Sequence, residues 1–140
     1  MIILAFDFGM RKIGVAVGED IIKKGRPLNT LNAHNGKPNW HIIKNLLEYW
    51  EPKFIIVGLP LNINGTKQNI TNRSEKFAHL LKCKFNIIVK MHDERLSTVE
   101  AKSIIFKKGG FKALLKKEKV HSLAAVIILE SWFSHNIFNI

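Results

Sequence analysis

Cysteine is nearly absent: the one thiol in 140 residues, Cys83, allows no intrachain disulfide and no cysteine pair to hold a metal. Aspartate is almost as scarce, with only Asp7, Asp20 and Asp93, and only four of the 22 basic residues are arginine. Long apolar runs are missing too. The longest, Leu123 to Leu129, is seven residues, far below the roughly 20 that a membrane-crossing helix needs. The amino-terminal "MIILAFDFG" has neither the basic region nor the small-residue cleavage site of a secretory signal, so the expected location is cytoplasmic. Repeats, low-complexity tracts and linker-like stretches are also absent. Residues 1–140 are therefore expected to form one domain, with 46% hydrophobic residues to fill a single continuous core.

Positive charge is what the chain has in excess. Its 22 basic and 11 acidic side chains give +11 at neutral pH. That balance suits a polyanion such as nucleic acid, because each neutralised phosphate releases counterions. Part of the excess is compositional, since 18 lysines accompany 19 isoleucines and 12 asparagines. Placement says more than the total. The stretch "KKGGFKALLKKEK", from Lys107 to Lys119, carries six lysines against Glu118 and runs directly into "VHSLAAVIIL".

The apolar patterning orders the chain. "MIILAFDFG" and "KIGVAVG" are β-branched stretches joined by a short turn, a hairpin-like pair of strands. "IIKKGRPLNTL" reads as a weaker edge strand, with its lysines and Pro27 suited to an exposed border. Trp40, Ile43, Leu47 and Trp50 fall at helical spacing behind Asn39 as N-cap, and Pro52 closes that segment. "KFIIVG" is a buried strand, Phe77, Leu80 and Leu81 line a second helix, and "FNIIVKMHDE" is the next strand. Ser97 and Glu100 form a capping box for a third helix that Gly109 and Gly110 would stop. The last helix, about Val120 to Phe133, is apolar nearly all round and should be buried. Strands alternating with helices after the first three imply a sheet that is antiparallel at one edge and parallel through its centre.

Chemistry is expected where strands end beneath loops. Asp7 closes an otherwise apolar strand, where a carboxylate must be paired, hydrogen-bonded or metal-bound, or else cap the amides of its own turn. Asp93 and Glu94 close another strand. Neighbouring strand residues face opposite ways, so only one of the two should face Asp7. Other sites find less support. "GMRKIG" lacks the Lys and Ser/Thr of a phosphate loop, and "HDE" has no second histidine at helical spacing to bind zinc. No G-x-S-x-G motif occurs, and the sequence shows no base for Cys83. A "DFG" turn also begins the phosphate loops of actin-like ATPases, but those need two domains closing on a nucleotide, more than 140 residues supply.

Four segments in order, "AFDFGMRKIGVAVG", "IIVGLPLNINGT", "HDERLSTVEA" and "AAVIILESWF", resemble the YqgF/RuvX family, a bacterial branch of the RuvC-like, RNase H-like nucleases. The resemblance spans almost the whole length. It implies an α/β fold of RNase H type, with a mixed five-stranded sheet and helices on both faces. It also implies a metal-dependent phosphodiester hydrolase that processes the 5′ end of precursor 16S rRNA, with Mg²⁺ or Mn²⁺ as cofactor. The alternatives it leaves are a Holliday junction resolvase acting on branched DNA, or a catalytically weakened RNA-binding factor in ribosome assembly. Expected partners are nucleic acid and ribosomal particles, not a membrane, with the chain acting as a monomer or homodimer.

The implied catalytic and metal-binding set is Asp7, Glu94 and the residue opening the last helix. Where similar chains read "VDS" this one reads "VHS", so His121 stands in the third acidic position. Histidine there replaces an anionic oxygen with a nitrogen. Mg²⁺ should bind more weakly, and Mn²⁺ should be better tolerated. His121 is then a ligand or base, a remnant in a weakened nuclease, or a core histidine. Arg11, Lys12, Asn62, Thr66 and Arg95 are the candidates for holding substrate phosphates, with Arg95 also able to pair with Asp93 or Glu94.

Overall fold

The computed structural model describes residues 1–97 and 119–136 of the chain. Strand β1 (Ile2–Asp7) pairs antiparallel with β2 (Lys12–Glu19) in the register Asp7 to Gly14, and β2 pairs antiparallel with β3 (Lys24–Pro27). On its other side β1 runs parallel to β6 (Phe54–Leu59), and β6 runs parallel to β7 (Ile88–Asp93). The mixed five-stranded sheet expected from the sequence is thus present in the order β3, β2, β1, β6, β7.

The sheet is larger than expected, with seven strands rather than five. A short hairpin, β4 (Leu31–His34) with β5 (Lys37–Pro38), continues the sheet beside the start of β2. Its turn is Asn35–Gly36, both with positive φ, the backbone that an Asn-Gly hairpin turn requires. The proline-bearing "KP" that follows is too short to show alternation, so local pattern alone did not mark it as a strand.

Helix α1 (Trp40–Trp50) begins where expected, with the Asn39 side chain accepting from the His41 amide. The start of helix α2 (Asn69–Phe85) is anchored by Thr71, whose buried hydroxyl accepts from the Gln68 amide and donates to the Pro60 carbonyl. A single 3-10 turn (Glu94–Leu96) follows β7, and α3 (Ser122–His135) is the last helix. The capping box at Ser97 and Glu100, the third helix after it and the lysine-rich stretch up to residue 118 lie outside the described residues.

The core is two layers, not one. Alternation along β1 sends Leu4, Phe6 and Phe8 to a cluster with Ile43 of α1 and Phe77 and Leu81 of α2. Ile3 and Ala5 point the other way, into a cluster with Ala125, Ile128, Leu129, Trp132 and Phe133 of α3. A sheet covered on both faces must split its apolar residues between them. The all-round apolar character of α3 follows from this position, for nine of its residues are buried.

Candidate active site

Asp7 is the next residue on the face that Ile3 and Ala5 share, so its carboxylate lies on the α3 side of the sheet. Two glycines flank it. Gly14 is its antiparallel partner on β2, and the parallel register of Phe6 with Val57 carries Asp7 alongside Gly58 on β6. Each glycine leaves space that a neighbouring element fills. A Cβ on Gly14 would collide with the His121 carbonyl oxygen, and one on Gly58 would stand 2.9 Å from Glu94 Oε2. The start of α3 and the Glu94 carboxylate are thereby seated on the strands either side of Asp7, and strands lie about 4.8 Å apart.

The three aspartates have different surroundings. Asp20 pairs with the amino terminus at 2.8 Å, and Asp93 accepts from Arg95 Nη2 at 2.6 Å and from the Arg95 amide at 2.9 Å. Asp7 pairs with no cation or donor among the described residues, and burial pushes its carboxyl up to about 6. It is not a turn-capping aspartate. The choice between Asp93 and Glu94 is made by Arg95, which holds Asp93 below the usual carboxylate range while Glu94 turns toward Gly58 and Ile128.

His121 meets the site chiefly through its main chain. It is the N-cap residue of α3, its carbonyl rests on Gly14, and its side chain is exposed. Ser122 fixes that position. Its buried hydroxyl accepts from the Val15 amide at 2.9 Å and lies 3.3 Å from the Thr30 hydroxyl. Asp7 and Glu94 are thus brought to one face, whereas among the described residues no three His, Cys, Asp or Glu side chains are gathered closely enough to share an ion. His121 as a core histidine is excluded by its exposure. Asp7, a half-buried carboxylate without a partner among the described residues, and Glu94 beside it have the chemistry that an oxygen-preferring divalent cation requires.

The expected phosphate-holding residues scatter around this centre. Arg11 is exposed in the turn after β1, and Lys12 donates to Asn32 Oδ1 at 2.5 Å. Asn62 Nδ2 donates to the Thr66 hydroxyl at 2.9 Å, and that hydroxyl donates to Asn64 at 2.6 Å, so both side chains shape their own loop. Arg95 bridges Asp93 and the Ile63 carbonyl, tying the end of β7 to that loop. His92 is buried on the α3 side and lies 2.8 Å from the Ser131 hydroxyl, with burial holding its imidazole below the usual range. Cys83 has a neighbour that the sequence did not reveal: His79 Nε2 is 3.5 Å from its sulfur, on the exposed surface of α2. Sequence reasoning missed Gly14, Gly58 and Ser122. Glycine inside a strand signals a close approach, which is how the two glycines could have been found.

A sequence profile of the RuvX family, described as Holliday junction resolvase, matches residues 1–135. A protein of Buchnera aphidicola subsp. Acyrthosiphon pisum (strain Tuc7), named "Putative pre-16S rRNA nuclease", is 77% identical over 134 residues, covering 96% of this chain and 98% of that protein. Its counterpart of the same name in Escherichia coli (strain K12 / DH10B) is 56% identical over 131 residues, covering 94% of each. Among solved structures, Thermus thermophilus RuvC in complex with a Holliday junction substrate superposes with a TM-score of 0.61 at 14% identity, covering 99% of this chain and 96% of that one. The fowlpox virus resolvase bound to junction DNA gives 0.60 at 16% identity, covering 99% and 100%. These similarities establish the RuvC-like fold, the same architecture that places Asp7 at a strand end beneath α3. With a family profile spanning residues 1–135 and relatives this similar over nearly their whole length, the chain belongs to the RuvX family.

Proposed function

We propose that the chain is a metal-dependent nuclease that processes the 5′ end of precursor 16S rRNA. The observation that carries this reading is the Asp7 carboxylate, half-buried and without a cation among the described residues, beside Glu94 on one face of the sheet. The name of the relatives supports the substrate. Asp7 and Glu94 would hold Mg²⁺ or Mn²⁺, and the exposed His121 side chain, at the start of α3, would have to turn inward to join them. Such an ion supplies an activated water and neutralises charge developing on the phosphate. Asp7 gives up its proton near pH 6, so its hold on a cation strengthens as pH rises through that value. Arg95, already bound to Asp93, keeps the turn bearing Glu94 in place. Arg11, exposed beside the site, is left to meet the phosphate backbone.

Incubation with an end-labelled, 5′-extended 16S precursor and either metal tests the proposal. Cleavage is expected, and Asp7→Asn should lower it by about two orders of magnitude or more, the worth of several kcal/mol of transition-state stabilisation. Undiminished cleavage by that variant would overturn the assignment. Junction resolution is the second reading, favoured by the profile description and by the RuvC and fowlpox folds. It requires two active sites on one branched DNA, hence a dimer. A strictly monomeric protein that leaves a four-way junction intact removes it.

A further inference from the structure

On the face of the sheet opposite Asp7, a cavity of about 470 Å³ opens between the β4–β5 turn and α2. Its floor is aromatic. Phe8 and Phe77 are buried and lie 5.2 Å apart, and half-buried Trp40 stacks on Phe77 at 5.8 Å with 24° between the rings. Its rim is cationic. Arg73, Lys76 and Lys84 fall at i, i+3 and i+11 on α2, which puts them on one side of the helix, and Lys37 faces them from β5.

Among the described residues none of these four cations is ion-paired, and no acidic residue lines the cavity. The acid nearest in sequence, Glu75, is held by Lys67 at 3.0 Å. Lys84 instead stands 5.1 Å above the Trp40 ring. Exposed cations left without counter-charge around an aromatic floor match the two parts of a nucleotide, since any base has a π-face to stack and its phosphates carry the negative charge. The volume lies within the roughly 300–1,000 Å³ typical of pockets for small molecules. The pocket also adjoins the site through the chain itself, because Phe8 on its floor follows Asp7 directly and points to the other side of the sheet.

We propose that this pocket binds one nucleotide of a single-stranded RNA whose neighbouring stretch crosses the end of β1 to reach Asp7 and Glu94. The choice of polymer rests on the nuclease reading, but binding can be measured where no cleavage occurs. A short fluorescein-labelled single-stranded RNA is titrated with the full chain in EDTA and followed by anisotropy. The pair Arg73→Glu with Lys76→Glu should weaken binding by at least tenfold. It should also reduce the slope of log affinity against log salt by roughly 1.4, about 0.7 for each phosphate no longer neutralised. The control pair Lys24→Glu with Lys53→Glu makes the same charge change away from the pocket and should have a much smaller effect.

Equal weakening by the two pairs would show that only net charge matters, and overturns the pocket. Trp40→Leu, with its fold checked by circular dichroism, should weaken binding about tenfold by removing a stacking surface. Unchanged affinity in a folded variant also overturns it. Calorimetry with adenosine monophosphate separates the sources: a free nucleotide that binds more tightly than the oligonucleotide overturns the assignment to a strand. If Asp7→Asn still cleaves precursor while the pocket pair alone loses RNA, the nuclease assignment of Asp7 fails and the pocket stands.

Discussion

At the scale of single residues, the distinguishing feature is a carboxylate left alone. Asp20 and Asp93 each have a cation, and Asp7 has none among the described residues. Its carboxyl lies at about 6 in the folded chain against 3.8 for the unperturbed group, so ionising it opposes folding. The penalty is absent below pH 4, grows between pH 4 and 6, and is complete above. At roughly 1.4 kcal/mol per pH unit of difference it reaches about 3 kcal/mol. Asp7→Asn should therefore raise the metal-free melting temperature at about pH 7.5, with the gain vanishing near pH 4. Mn²⁺ should stabilise the natural chain and leave the variant unmoved, as calorimetric melts would show. His121 makes a second test. If it stands in a ligand position, His121→Asp should raise cleavage in Mg²⁺ more than in Mn²⁺, and an unchanged ratio of the two rates would remove it from the metal set. The scarcity of aspartate made Asp7 legible in the sequence. That His121 meets the site through its carbonyl was not legible, because a side-chain pattern says nothing about which backbone atom a distant strand will touch.

At the scale of elements, the site depends on how closely α3 can lie on β2. Gly14 admits the His121 carbonyl, and Ser122 pins the helix start to the Val15 amide in the gap between the β4 and β3 pairings of β2. Ser122→Ala leaves that buried amide without its acceptor and should cost about 1–3 kcal/mol in urea unfolding. Gly14→Ala meets main-chain atoms that cannot swing aside, so it should destabilise by about 1–3 kcal/mol and depress cleavage by displacing α3. A Gly14→Ala protein with full activity would mean that the seating of α3 is not needed. The sequence marked α1 by its spacing and its Asn39 cap, α2 by its spacing and the last helix by its apolar length, because those signals are local. It also held the Asn-Gly of the extra hairpin. Which strand that hairpin would extend depends on the free edge of β2 near Lys12 and Ile13, a partner far from the turn in any local window.

At the scale of the whole molecule, one sheet separates two cores, and each relies on the strands between them. Phe77 of α2 packs on Phe6 of β1 and Trp40 of α1, whereas Phe133 of α3 lies in a cluster with Ile3 and Ala5 of β1 and Ala16 of β2. Truncating either to alanine should cost about 3–5 kcal/mol, and because β1 contributes to both layers, tryptophan fluorescence and far-ultraviolet circular dichroism should still report one coincident transition. Two separate midpoints would show that the layers unfold independently. The amino-acid sequence alone determined the mixed α/β order, the burial of β6 and α3, the cationic excess and the residues able to carry a charge at a strand end. Each follows from composition or from a period of about 2 or 3.6, which neighbouring residues impose on one another. Tertiary structure decided that Glu94 rather than Asp93 lies beside Asp7, that the start of α3 rests on Gly14, and that Trp40 and four cations without a counter-charge among the described residues frame one cavity. Those outcomes turn on strand register and on helices meeting across the sheet, where residues more than a hundred positions apart, such as Val15 and Ser122, come within hydrogen-bonding distance.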